Sequence, residues 1–274
     1  MKAEGFWEKT VHHVTEALER ALVAEGLASR RGLLQSLDPR AKVLTVLLLM
    51  VSVALLHSLP LLVAFAFLPL VLSLLSRISP VFFLKRVGLF IPLFTGLIAL
   101  PALFTTPGRP LFSLWEGLAI TEQGLRAAST LVLRSWDTLS LAVLLVLTTR
   151  WDHLLRALRV LMVPRAFVLV LQMTHRYIYI FLRSINAMFL ARKSRTVGPR
   201  PAGENRRFLA SSMATLLARS HHMSQEVYLA MQSRGFRGDV MTMEDFVLRR
   251  RDALWAGLAG FLAVAAIIAD RLLT

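Results

Sequence analysis

Residues 164–190 read PRAFVLVLQMTHRYIYIFLRSINAMFL, and the fold turns on whether this stretch crosses a membrane. It is long enough, since a spanning helix needs about 20 residues. If it crossed, residues 191–252 would lie on the far side with Arg192, Lys193, Arg195, Arg206, Arg207, Arg219, Arg234, Arg237 and Arg249 to Arg251. Lysine and arginine collect on the cytoplasmic loops of membrane proteins, so that topology breaks the charge rule badly. His175, Arg176 and Arg183 also interrupt the apolar run. The stretch therefore reads as a long helix packed under or against a membrane bundle. Residues 150–249 then form one cytoplasmic helical domain.

Working outward, the rest of the chain is greasy. Its 274 residues are 55% hydrophobic, and 32 Lys and Arg against 17 Asp and Glu give a net charge of +15. Apolar runs cover 43–56, 59–75, 87–104, 138–148, 166–171 and 253–269. On a soluble protein such a charge would point to nucleic acid. Here cytoplasmic loops account for it, so the expected surroundings are membrane lipids and no nucleic acid. Without a cysteine the chain offers neither disulfides nor thiolate metal sites.

The amino-terminal FWEKTVHHVTEALERALVAEGLASRRG mixes charges throughout, unlike a secretory signal. It reads as a cytosolic or interfacial amphipathic helix within a segment 1–36. SLDPRAKV opens the first span, with Asp38 as N-cap and Pro39 at the first helical position. Spans are expected over about 41–57, 59–76, 87–106 and 127–149, within a segment 37–149. A final span over about 253–270 belongs to segment 250–274. The count is five, with the amino end inside and the carboxyl end outside. The fold class is an all-α polytopic membrane protein with a cytoplasmic domain of amphipathic helices.

Arg134 and Asp137 lie three apart in the fourth span. Charges at that depth usually pair and face inward, so a structural ion pair is expected. The neighbours His12-His13 and His221-His222 suggest metal ligands, but adjacent helical residues point about 100° apart. They read as solvated or interface histidines, and no metal site is assigned.

Two long helices of the cytoplasmic domain end in arginine. One, through FLARKSRTVG, carries Arg192 near its end, before Gly198 and Pro199. The other is expected over about 206–234, with Leu209, Met213, Leu216, Met223, Val227 and Met231 on one face. Gly235 suits a left-handed C′ position, which would set Arg234 in the last turn. Arginine makes rigid, multidentate contacts with carboxylates and carbonyls. Two projecting arginines suggest docking into two equivalent acidic grooves.

LDPRAK at 37–42, LTTRWDHLLRALRVLMVPRAFVLVL at 147–171, ARK at 191–193 and QEVYLAMQSRGFRG at 225–238 resemble the transmembrane T component of energy-coupling factor transporters. The resemblance implies that Ala191-Arg192-Lys193 and Ser233-Arg234-Gly235 are the two X-Arg-X motifs that insert into grooves of two ABC ATPase subunits. Lys193 and Ser233 depart from the commonest Ala-Arg-Gly form. Asp38-Pro39-Arg40 matches the family's amino-terminal motif. The tract 76–104 and the long amino-terminal helix are similar to the cobalt-type branch, which implies cobalt or nickel as cargo and a substrate-binding membrane S component. The implied location is a prokaryotic cell (inner) membrane.

The sequence has no G-x-x-x-x-G-K-[ST] run to cradle ATP phosphates. The chain is thus expected to hold no cofactor and to catalyse nothing, with ATP and magnesium bound by the partner ATPases. The alternatives are a vitamin-type T component, a self-sufficient permease with repeated halves or broken helices, and a membrane enzyme. No repeat, broken helix or acidic cluster in the sequence speaks for the last two.

Overall fold

A computed structural model of the chain describes residues 26, 28, 32–88, 90–107, 109–115, 118–196, 202–238 and 248–273. Most of the expected amino-terminal helix, His12 and His13 included, lies outside the described residues. In chain order the elements are α1 (Pro39–Leu55), α2 (Leu59–Leu75), α3 (Pro80–Val87), α4 (Phe90–Thr105), β1 (Pro110–Trp115), β2 (Leu118–Thr121), α5 (Glu122–Thr148), α6 (Trp151–Ala157), α7 (Arg165–Arg195), α8 (Ala202–Ser233) and α9 (Arg250–Leu273). Short 3-10 turns occupy Leu34–Ser36 and Leu158–Leu161. The described residues are helical apart from the antiparallel β1–β2 hairpin, in which Pro110 pairs with Thr121 and Trp115 with Leu118. The chain divides into two compact units, Glu25–Ala157 with Phe246–Thr274, and Met1–Ala24 with Leu158–Asp245.

The first unit is a bundle of apolar helices. Val46, Leu49 and Val53 of α1 share a core with Leu62, Leu141 and the stripe Ala259, Ala263 and Ala266 of α9. Small residues at such a seam let two helices approach closely, which is how helices associate in lipid. A second cluster joins Leu34 and Leu37 to Leu72, Phe83, Val87, Leu144 and Leu147. Gly124 of α5 lies against the backbone of α4, and a side chain there would collide with the carbonyls of Ala102 and Leu103.

Around this core the outer faces are also apolar. Phe67 is 61% exposed, Leu254 74% and Phe261 73%, large apolar side chains of the kind that mark a surface covered by lipid or by a partner. Helices α5 and α9 are each long and apolar enough to cross a bilayer, whereas α1, α2 and α4 have 17, 17 and 16 residues. The expected span over 87–106 is preceded by a separate short helix, α3, which begins at Pro80 and buries Phe83 and Val87. Helix α5, the expected fourth span, starts at Glu122, earlier than expected, because Thr121 caps it by accepting the Gly124 N–H. The β1–β2 hairpin lies between the spans expected over 87–106 and 127–149.

Both ends of the α1–α9 pair are tied by buried carboxylates. Asp252 accepts the Asp38 N–H at 2.8 Å and the Arg249 N–H at 2.7 Å, satisfying donors that a helix start leaves without a partner. At the opposite end Asp270 accepts the backbone N–H groups of His57, at 3.0 Å, and Ser58, at 2.7 Å. It thereby fixes the turn between α1 and α2. Arg134 of α5 donates from Nη2 to the Leu56 carbonyl at the same turn. The expected Arg134–Asp137 pair does not form, and Asp137 is buried with neither carboxylate oxygen hydrogen-bonded. The Leu56 carbonyl, left over at the end of α1, is the acceptor that takes the guanidinium instead.

Helix α6 stops at Ala157, where the first unit ends, and the chain then tightens into the 3-10 turn Leu158–Leu161 and reaches Met162, whose φ is 60°. Pro164 precedes α7, which runs without a break through His175, Arg176 and Arg183 for 31 residues. Helix α8 has 32 residues and begins at Ala202, slightly ahead of expectation.

Candidate functional site

Arg234 stands where the sequence places it, at the C-terminal end of α8. The Phe236 N–H donates to the Met231 carbonyl at 3.0 Å, and the Gly235 N–H to Gln232 at 2.9 Å. Gly235 has φ 77°. These two bonds and the left-handed glycine make a Schellman stop, with Arg234 as the C-cap residue. Nothing lies near the Gly235 Cα where a side chain would be, so backbone conformation alone selects glycine there. Ser233 donates its hydroxyl back to the Leu229 carbonyl. The Arg234 side chain is exposed.

Arg192 is arranged differently. It lies in the last turn of α7, which continues through Lys193 and Ser194 to Arg195. Its side chain turns onto the start of α8 instead of projecting. Nη2 donates to Asn205 Oδ1 at 2.8 Å, and the guanidinium carbon lies 4.2 Å from the centroid of the Phe208 ring. Phe208 in turn meets Phe189 of α7 edge-to-face at 5.6 Å. Ala191 and Lys193, flanking Arg192, are exposed. Because Arg192 rests near the first turn of α8 and Arg234 caps its last, about 40 Å of helix separates the two at 1.5 Å per residue.

The inner face of α8 is close to the one read from the sequence. Leu209, Leu216, Met223, Val227 and Met231 are half-buried, but Met213 is exposed. Asn205, Phe208 and Ser212 complete the line instead. His222 and Glu226 pair at 3.5 Å along the exposed side, and His221 contacts Gln225. Each histidine thus engages a neighbour one turn on.

In the bundle, Asp38 caps α1 by accepting the Arg40 N–H at 2.8 Å, with Pro39 at the first helical position. Beside them sits a group the sequence reading passed over. Lys42 is 1% exposed, and its Nζ donates to the Thr148 carbonyl and to Thr149 Oγ1, both at 3.1 Å. One lysine thus ties the start of α1 to the end of α5, beside the start of α9. Trp255 of α9 adds an indole N–H bond to Thr45 at 2.9 Å. A buried lysine one turn after a capping aspartate was the available signal, masked by its place in a basic run.

The sequence model of the cobalt transport protein family, CbiQ, matches residues 31–244 of this chain. The chain belongs to that family. The match to the cobalt transport proteins runs from before α1 to beyond Gly235, so both units contribute to it. Over 269 residues the chain is 30% identical to an uncharacterized protein of Methanocaldococcus jannaschii, covering 97% of this chain and 92% of that one. Over 204 residues it is 27% identical to the energy-coupling factor transporter transmembrane protein EcfT of Lacticaseibacillus paracasei, covering 71% and 77%. The resemblance read from the motifs agrees with both the family and the second relative. The chain is a membrane component of a transport family, in keeping with the apolar outer faces of its helices.

Proposed function

We propose that this chain is the transmembrane coupling subunit of an energy-coupling factor importer. It passes the ATP-driven motion of two ABC ATPase subunits to a substrate-binding membrane partner. The observation that carries this reading is the placement of two arginines near opposite ends of one long helix. A single groove cannot take both across about 40 Å of helix, whereas two ATPase subunits offer two grooves. Ala191-Arg192-Lys193 and Ser233-Arg234-Gly235 are the docking motifs. Closure of the ATPases on ATP and magnesium displaces α7 and α8, and their displacement reaches the S component. Asp38, Pro39 and Arg40 hold the bundle end in place.

In this reading five helices, α1, α2, α4, α5 and α9, cross a cell membrane, with the amino end and the segment 150–249 in the cytoplasm. The segments 37–149 and 250–274 form the spans. The chain is non-catalytic and binds no nucleotide. The cargo is cobalt or nickel, a choice supported by the family name and by the cobalt-type character of residues 76–104.

Affinity purification of the full chain from its native membrane is the test. Two ATPase subunits should come with it. Arg192→Glu and Arg234→Glu should each abolish that association and leave the helical circular dichroism unchanged. If both variants still assembled with the ATPases and transported as the wild type does, the docking reading would be wrong.

A further inference from the structure

The contact around Arg192 asks for an explanation that docking alone does not supply. A docking arginine on a long flexible stem carries rotamer entropy, and fixing it on association costs affinity. At Arg234 the Schellman stop fixes the backbone. Arg192 has no such stop, since α7 runs on to Arg195. Instead its side chain is held by the neighbouring helix, with Asn205 Oδ1 at 2.8 Å and the Phe208 ring at 4.2 Å. The ring is itself oriented by Phe189, which is buried at 8% exposure.

We infer that Asn205 and Phe208 are positioning residues for ATPase docking, keeping the Arg192 guanidinium at one place on the start of α8, from which it passes to the groove. The inference rests on the docking role proposed for Arg192. Neither residue carries charge, so what they supply is position. A neutral amide oxygen and an aromatic face bind a guanidinium more weakly than a carboxylate does. They therefore orient Arg192 without outcompeting an acidic groove. An arrangement built to withhold the arginine would act in the opposite direction, and its loss would tighten association.

The test is titration of the full-length chain in nanodiscs with the purified ATPase pair, reading the dissociation constant. Phe208→Leu keeps an apolar side chain against Phe189 and removes the π face, and it should weaken binding about fivefold to tenfold. Phe208→Trp keeps the π face and should bind as the wild type does. Asn205→Ala should weaken binding by a smaller factor. In an Arg192→Ala background the Phe208→Leu effect should vanish, because there is no guanidinium left to orient. An unchanged affinity in Phe208→Leu, with Arg192→Ala still weak, overturns the positioning role and leaves docking intact. So does tighter binding, or a Phe208→Leu loss that persists undiminished in the Arg192→Ala background. Full-strength binding by Arg192→Ala itself removes the docking role of Arg192, and the positioning role falls with it.

Discussion

Gly235 decides where α8 stops. With φ at 77° and open space around its Cα, the position rejects side chains through backbone sterics alone. Gly235→Ala should therefore destabilise the end of α8 by about 1 kcal/mol. Gly235→Asn, which tolerates the left-handed region better, should recover much of it. Hydrogen exchange at the amides of Gly235 and Phe236 is the measurement. Faster exchange in the alanine variant, partly reversed in the asparagine variant, is expected, and unchanged protection in both would show that the Schellman stop contributes nothing. This residue was legible in the sequence because a glycine after a helical pattern has a local meaning. Arg192 was only half legible. Its place near a helix end follows from the pattern, but its partners, Asn205 and Phe208, lie beyond a proline- and glycine-containing linker. Local spacing cannot foretell a contact between two helices. The Arg134–Asp137 expectation failed for a related reason, since three-residue spacing allows a pair but does not exclude a third group. The orphan carbonyl of Leu56 on another helix was that group.

Among the elements, α1 and α9 are joined at both ends, by Asp252 and by Asp270, and Lys42 adds α5 at the first of these. Lys42 is fully enclosed, so truncating it leaves the Thr148 carbonyl and the Thr149 hydroxyl without their donor. A buried acceptor left without its donor costs about 1–3 kcal/mol. Lys42→Ala should accordingly lower the Tm of the detergent-solubilised protein by several degrees, and Lys42→Met, which keeps the stem but not the charge, should recover little. A Tm equal to that of the wild type in both variants would show that Lys42 does not hold these helix ends together. The helices themselves were readable from apolar runs and caps. Asp38 and Pro39 start α1 where the local chemistry says they should. What escaped were the features with no periodic signal, namely the separate α3, the β1–β2 hairpin and the tightening after Ala157. Each is short, and each is set by what it packs against.

At the scale of the whole molecule, the reading rests on one choice, that α7 and α8 lie on the cytoplasmic side although α7 is long enough to cross. Its 31 residues run continuously, so length does not decide the question, and the proposed reading rests on the charge of residues 191–252. ATPase docking requires the same answer, because ATP is available only inside. The chain contains no cysteine, which makes single introduced thiols clean reporters in intact cells. Ser211, on α8, and His57, in the turn between α1 and α2, are both exposed. The account predicts that Ser211→Cys reacts with a membrane-impermeant maleimide only after the cells are opened, while His57→Cys reacts from outside. Labelling of Ser211→Cys in sealed cells would put α8 on the outer face, and the coupling function would fall with it.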